Sequence, residues 1–363
     1  MTRTEDRLHD AFDAAAASMP DGTLAPLTAP SARRRRRPWT VPVAVAAGLA
    51  AVVIGGTAVG GAIPRAAHYG PAAGVGGPRH VVAIRDGRAV VENATAQGLT
   101  EAASLGGRYE AVAATGDGRT FFLAGKAGGD SYAFYRLTLG ADGTPSAPER
   151  VPGGTVRLDT GFGKPENLAA SPDGSRLAVV GTAGGRPEAV VIDVRTGGHR
   201  TWSTATGGSV TSATWAPDNR TLGFVQAPGG PSGRAVLRLL DTGRPGADLL
   251  SSRVLRPAEV TGTRVNGLIN VFVLNPDGRT ATAQIQGAKH GPDDDASFVL
   301  ATLSAADGRP AGRAVRLPGD SFFVKADGSG EHFLQLVDGR PGRVDGDAFA
   351  WLSRAADYDD LAW

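Results

Sequence analysis

The chain is predicted to fold as an all-β, six-bladed β-propeller, preceded by a short cytosolic helix and one transmembrane helix. Three observations predict this. A phrase recurs five times; the repeat region opens on a hairpin that lacks a strand and closes on a strand that lacks a blade; and 23 uncharged residues stand behind five consecutive arginines.

The phrase is an apolar stretch, then Asp-Gly or Asp-Asn with a basic or small residue after it, then a second apolar stretch. It stands as AVAATGDGRTFFLAG at Asp117, LAASPDGSRLAVVG at Asp173, TSATWAPDNRTLGFV at Asp218, VFVLNPDGRTATAQ at Asp277 and FFVKADGSGEHFLQLV at Asp327. The intervals of 56, 45, 59 and 50 residues suit one four-stranded blade each. Physically the phrase is the hairpin between the two inner strands of a blade. Gly or Asn at the corner tolerates the positive φ of a tight turn, and Pro172, Pro217 and Pro276 preset φ just before it. The flanking Ala, Val, Leu and Phe suit strands buried on both faces between neighbouring blades. The five aspartates are therefore structural turn residues.

The ends of the ring give the blade count. Residues 80–84 and 89–93 flank Asp86-Gly87 as a hairpin, but the 31 residues from Asp86 to Asp117 are too few for a complete blade. The final YDDLAW, ending at Trp363, resembles VTSATW, ending at Trp215. The C-terminal strand is thus expected to complete the first blade beside the N-terminal hairpin, which removes the exposed edges of an open sheet. The phrase and this closure resemble the WD40-like Pro-Asp propeller repeats of TolB-type proteins, over about residues 79–363. The resemblance implies the fold and hardly constrains the function.

Residues 41–63 carry no charge and follow Arg33, Arg34, Arg35, Arg36 and Arg37. A helix of that length reaches about 35 Å, enough for a bilayer core of roughly 30 Å. The arginines mark their side as cytosolic, so everything after the span lies outside. The run is too long, and too far from the N-terminus, for the apolar core of a cleaved signal peptide. This makes four regions: residues 1–37, a cytosolic tail with a short amphipathic helix and the basic run; 38–63, the transmembrane helix, an uncleaved signal anchor; 64–78, a flexible linker rich in Gly, Ala and Pro; and 79–363, the extracytoplasmic propeller. The expected location is a bacterial cell membrane, single-pass, N-terminus inside.

In the tail, Thr4 caps a helix that Pro20-Asp21-Gly22 ends. Leu8, Phe12 and Met19 share one face, which wants either the membrane or a groove on a cytosolic protein. The tail followed by a single span resembles actinobacterial membrane proteins that accompany extracytoplasmic-function sigma factors. That resemblance implies a sensor coupled to a cytosolic regulator. The zinc-binding anti-sigma pattern is absent, because the chain has no cysteine. The abundance of Ala, Gly and Arg over lysine also resembles an actinobacterial composition.

The chain carries 38 basic and 36 acidic residues, of which 7 and 5 lie in residues 1–37, so the remainder is neutral by count. No electrostatic footprint for nucleic acid follows, and the basic run serves topology. Without cysteine there is no disulfide, thiolate metal site or Cys nucleophile. No G-x-S-x-G elbow is present, and His9, His68, His80, His199, His290 and His332 are scattered without metal-binding spacing. Asp293, Asp294 and Asp295 form the densest acidic cluster, a calcium candidate by ligand type but without EF-hand order, and a solvated loop is the favoured reading. No catalytic, cofactor-binding or metal residue is therefore assigned, and no cofactor is expected.

Two function classes follow. In the first, the propeller is a non-catalytic module that binds an extracytoplasmic protein, peptide or glycan on its face or in its channel. In the second, it is a membrane-anchored hydrolase or lyase with its active site in the central channel, built from several blades and so without a linear motif. The lack of a nucleophile or metal signature favours the first.

Overall fold

The structure, a computed structural model, describes residues 78–95, 98–158, 167–205, 207–228, 235–255, 267–287, 298–319, 321, 323–355 and 357–363. The chain divides into two compact units, Met1–Ile63 and Pro64–Trp363. The first unit lies outside the described residues, and with it the expected tail helix bearing Leu8, Phe12 and Met19, the arginine run and the expected span 38–63. The linker up to residue 77 and the acidic loop at Asp293 to Asp295 lie outside them as well. Among the described residues no helix is long and apolar enough to cross a membrane.

The second unit forms six four-stranded sheets. In chain order the strands are β1 (His80–Arg85), β2 (Arg88–Thr95) and β3 (Gly98–Ser104); β4 (Ala111–Ala114), β5 (Thr120–Gly128), β6 (Ser131–Thr138) and β7 (Glu149–Arg157); and β8 (Leu168–Ala170), β9 (Arg176–Ala183), β10 (Arg186–Asp193) and β11 (His199–Ser203). They continue with β12 (Gly208–Trp215), β13 (Thr221–Pro228), β14 (Val236–Asp241) and β15 (Arg253–Leu255); β16 (Gly267–Leu274), β17 (Thr280–Gly287), β18 (Phe298–Ser304) and β19 (Pro310–Leu317); and β20 (Lys325–Ala326), β21 (His332–Val337), β22 (Arg340–Asp345) and β23 (Ala348–Trp351), before β24 (Tyr358–Ala362).

Five blades use four consecutive strands, and the first has the order β24-β1-β2-β3. β24 pairs antiparallel with β1, Leu361 opposite Ala83 and Ala362 opposite Val82. The expected closure is therefore present, and Asp86-Gly87 is the turn between the second and third strands of blade 1. Six apolar clusters fill the ring, one at each interface between adjacent blades. Trp363, 1% exposed, packs with Phe323, Leu334 and Tyr358 in the cluster that joins blade 6 to blade 1. Burying side chains of this size contributes about 1.5–3 kcal/mol each, so closure is held by the same force as every other interface.

The corner aspartates act through their carboxylates. Asp117 Oδ1 accepts from the backbone N–H of Arg119 at 2.7 Å and of Thr120 at 2.8 Å, and Asp218 and Asp277 repeat the pattern with Arg220 and Thr221, and with Arg279 and Thr280. The positive φ falls on the next residue, Gly118, Gly174, Asn219 or Gly278. Blade 6 differs. Asp327 N–H bonds to His332 O, the place that Thr115, Ser171, Ala216 and Asn275 hold in the other turns. Ser329 therefore stands at the corner, Gly330 takes the positive φ of 73°, and the Asp327 carboxylate caps the turn from two residues upstream by accepting from Ser329 Oγ and Gly330 N.

Candidate functional site

The six inner strands line a central channel whose open space, about 170 Å³, lies at the end where the inner turns gather. Equivalent positions form layers. The last inner-strand position is Ala114, Ala170, Trp215, Leu274 and Ala326 in blades 2 to 6, Trp363 stands in the equivalent place just past β24, and all six line the cavity. One residue earlier the wall is Ala113, Ala169, Thr214, Val273, Lys325 and Ala362. At the rim stand Gly116, Pro172, Pro217, Pro276 and Gly328, the residues before each corner. Trp215 and Trp363 occupy equivalent places, as their sequence contexts predict.

An inner strand turns one backbone edge to the channel, and that edge must be satisfied. Side chains from neighbouring blades do so. Ser212 Oγ accepts from Phe272 N at 3.0 Å and donates to Phe272 O at 3.1 Å, Thr214 Oγ1 accepts from Leu274 N at 3.0 Å, and Trp215 Nε1 donates to Ala169 O at 3.3 Å. The same task on the other side falls to a charged pair. Asp360, fully buried, accepts from Val112 N at 2.6 Å and Leu361 N at 2.7 Å, while Lys325 Nζ donates to Asp360 at 2.7 Å and to Val112 O. Burial pushes the Asp360 carboxyl above its ordinary range, against Lys325 and the two backbone donors.

A second buried carboxylate, Glu92, lies inside blade 1. It accepts from Tyr358 Oη at 3.0 Å and faces Arg85, whose guanidinium pairs with Asp357 at 2.6 Å and stacks on the Tyr358 ring at 5.1 Å. Burial raises the Glu92 carboxyl, and burial together with the Glu92 charge pushes the Tyr358 hydroxyl up to about 12. These groups tie β24 to β1 and β2.

Each of the turn carboxyls of Asp117, Asp173, Asp218 and Asp277 is pushed up by burial, yet hydrogen bonds from its own turn hold it below its ordinary range. The arginines Arg176, Arg200 and Arg253 are spent on carbonyls of the next blade, Asn219 O, Thr242 O and Ala306 O. Among the described residues no three His, Asp or Glu side chains are grouped to hold a metal.

The predicted corner aspartates ring the channel end without forming a reactive cluster, and only Asp327 lines the cavity. Lys325 and Thr214, the two polar members of the Ala113 layer, were not singled out in the sequence. The signal for Lys325 was a lysine within the otherwise apolar FFVKA, whereas Thr214 stands beside Thr211 and Ser212 in TSATW and had no signal of its own.

Among solved structures the chain resembles TolB from Acinetobacter baumannii, with a TM-score of 0.51 and 15% identity over 78% of this chain. The fold is TolB-like. The match spans 65% of that TolB chain. A nidogen/laminin complex (TM-score 0.47, 14% identity, 73% of this chain and 89% of that one) and dipeptidyl peptidase 4 of Porphyromonas gingivalis (TM-score 0.40, 10% identity, 74% and 44%) are more remote. No protein-family model and no curated protein matches the chain. The likeness to TolB concerns the fold alone, so function has to be argued from the channel.

Proposed function

We propose that this is a single-pass membrane protein whose extracytoplasmic propeller is a non-catalytic recognition module, with the channel end ringed by the inner turns as its binding site. One observation carries the reading. The wall combines the aromatic faces of Trp215, Phe272 and Trp363 with small apolar residues, and the one fully buried carboxylate nearby, Asp360, already accepts from Lys325 and two backbone amides. Such a cavity holds an apolar group well. It presents no free acid–base pair for a reaction, which weighs against a hydrolase or lyase in the channel.

The uncharged run behind Arg33 to Arg37 supports a module outside the cell, and a tail face of Leu8, Phe12 and Met19 would offer the route to a cytosolic regulator such as a sigma factor. The test is site-specific photocrosslinking in native membranes. A crosslinker at Ala114 or Ala170 should capture the same extracytoplasmic protein, and Ala326→Trp, which fills the channel, should abolish capture without unfolding the propeller. Equal capture by the filled variant would reject the channel as the site.

A further inference from the structure

We infer that the channel takes one uncharged apolar side chain from an extended protein segment, and that the adjoining main-chain carbonyl of that segment accepts a hydrogen bond from the Lys325 ammonium. This rests on the channel being the recognition site and names what enters it.

Size comes first. The open space of about 170 Å³ falls below the roughly 300–1,000 Å³ of a typical small-molecule pocket, which suits a single side chain better than a larger ligand. Polarity then excludes a sugar. The hydroxyl of Thr115 donates to Asp117 and that of Ser212 to Phe272 O, the Trp215 indole donates to Ala169 O, and the Asp327 carboxylate is occupied by its own turn. A ligand dense in hydroxyls would leave most of them unpaired, at a cost of about 1–3 kcal/mol each. An apolar side chain leaves none.

Lys325 selects the rest. An ammonium has three protons, and two are taken by Asp360 and Val112 O. The third makes no hydrogen bond and has the Phe323 ring, 5.2 Å from Nζ, as its other neighbour, in a wall where the equivalent positions are Ala113, Ala169, Val273 and Ala362. The Thr214 hydroxyl, which accepts from Leu274 N, keeps its own proton as a second donor. With the Trp363 indole N–H, which is buried without a hydrogen-bond partner, these spare side-chain groups are all donors, so they call for an acceptor. A carboxylate would compete with Asp360 for the one ammonium and crowd two anions in a poorly solvated channel, and a cation would meet Lys325 directly. A neutral amide carbonyl meets neither penalty.

The test uses the full-length chain labelled with ¹⁵N, following the indole N–H signals of Trp215 and Trp363, with Trp202 and Trp351 as controls away from the channel. Four probes are titrated: N-acetylphenylalaninamide, N-acetylphenylalanine, toluene and methyl β-glucoside. The amide should shift Trp215 and Trp363 saturably and bind about tenfold more tightly than toluene or the carboxylate, the worth of one hydrogen bond to a charged donor. The glucoside should not saturate. In Lys325→Met with Asp360→Leu, which removes both charges together, toluene should still bind while the advantage of the amide disappears. If toluene matches the amide in the wild type, or the carboxylate binds more tightly, the carbonyl assignment falls while the channel stands. If no probe moves either tryptophan, both fall.

Discussion

The Lys325 ammonium lies 2.7 Å from the Asp360 carboxylate, and with Val112 the pair joins three blades at one point: Lys325 on blade 6, Asp360 on the closing strand of blade 1, Val112 on blade 2. Removing one partner strands a charge in the channel wall. Asp360→Leu alone is therefore expected to cost about 3–5 kcal/mol, while the double variant with Lys325→Met should recover part of that loss and keep the cost of the unpaired Val112 N–H and C=O, about 1–3 kcal/mol each. Urea unfolding decides it. Similar losses in the single and double variants would mean that the pair is not a coupled clasp.

The closing strand makes its own prediction. Deleting residues 358–363 exposes the edge of β1 and the apolar face around Leu334 and Phe323, so the melting temperature should fall steeply or the propeller should fail to fold. Tyr358→Phe, which only takes a donor from buried Glu92, should cost about 1–3 kcal/mol. An unchanged melting temperature after the deletion would show that the ring closes without β24.

Stability should depend on pH in two opposed ways. The Glu92 and Asp360 carboxyls are raised in the fold, so the folded state binds their protons first and gains stability as pH falls from neutral toward their ordinary values near 4. The carboxyls of Asp117, Asp173, Asp218 and Asp277 are lowered, so their contribution is complete above about 3.9 and is lost as pH falls through their folded values. Urea midpoints should rise as pH falls from neutral toward about 4 and drop below it, and Glu92→Gln should flatten the rise. An identical profile for that variant would remove Glu92 from the account.

At the channel rim, the inner turns of blades 6 and 2 meet across the gap that blade 1 leaves, and Gly328 and Gly116 stand where other blades have Pro172, Pro217 and Pro276. A Cβ on Gly328 would run into Gly116 O. Gly328→Ala should therefore cost about 1–3 kcal/mol by overpacking, measured by thermal unfolding, even though its backbone angle suits alanine. No loss would mean that the two turns do not touch.

The corners were legible because an Asp-Gly turn hydrogen-bonds within a few residues, so its signature is local. Trp363 was legible by its likeness to Trp215. In KADGSGEH the same local rule misplaced the corner: Asp327-Gly328 looks like the turn, yet the pairing of Asp327 with His332 puts Ser329 there, and only the second glycine hinted at it. Lys325 and Asp360 were not legible as partners, because the ring topology, and no spacing along the chain, brings a lysine of blade 6 to the closing strand. Glu92 sits in VVENAT like any solvent-facing residue, and its burial depends on Tyr358, 266 positions away.

The most direct test of an extracytoplasmic recognition module is which side of the membrane the propeller occupies. The chain has no cysteine, so single cysteines at Ser131, in a propeller strand, and at Thr4, in the tail, report without background. In intact cells a membrane-impermeant maleimide should label the cysteine at 131 and should reach the one at 4 only after permeabilisation. Labelling at 131 that also requires permeabilisation would put the propeller inside the cell and contradict the account.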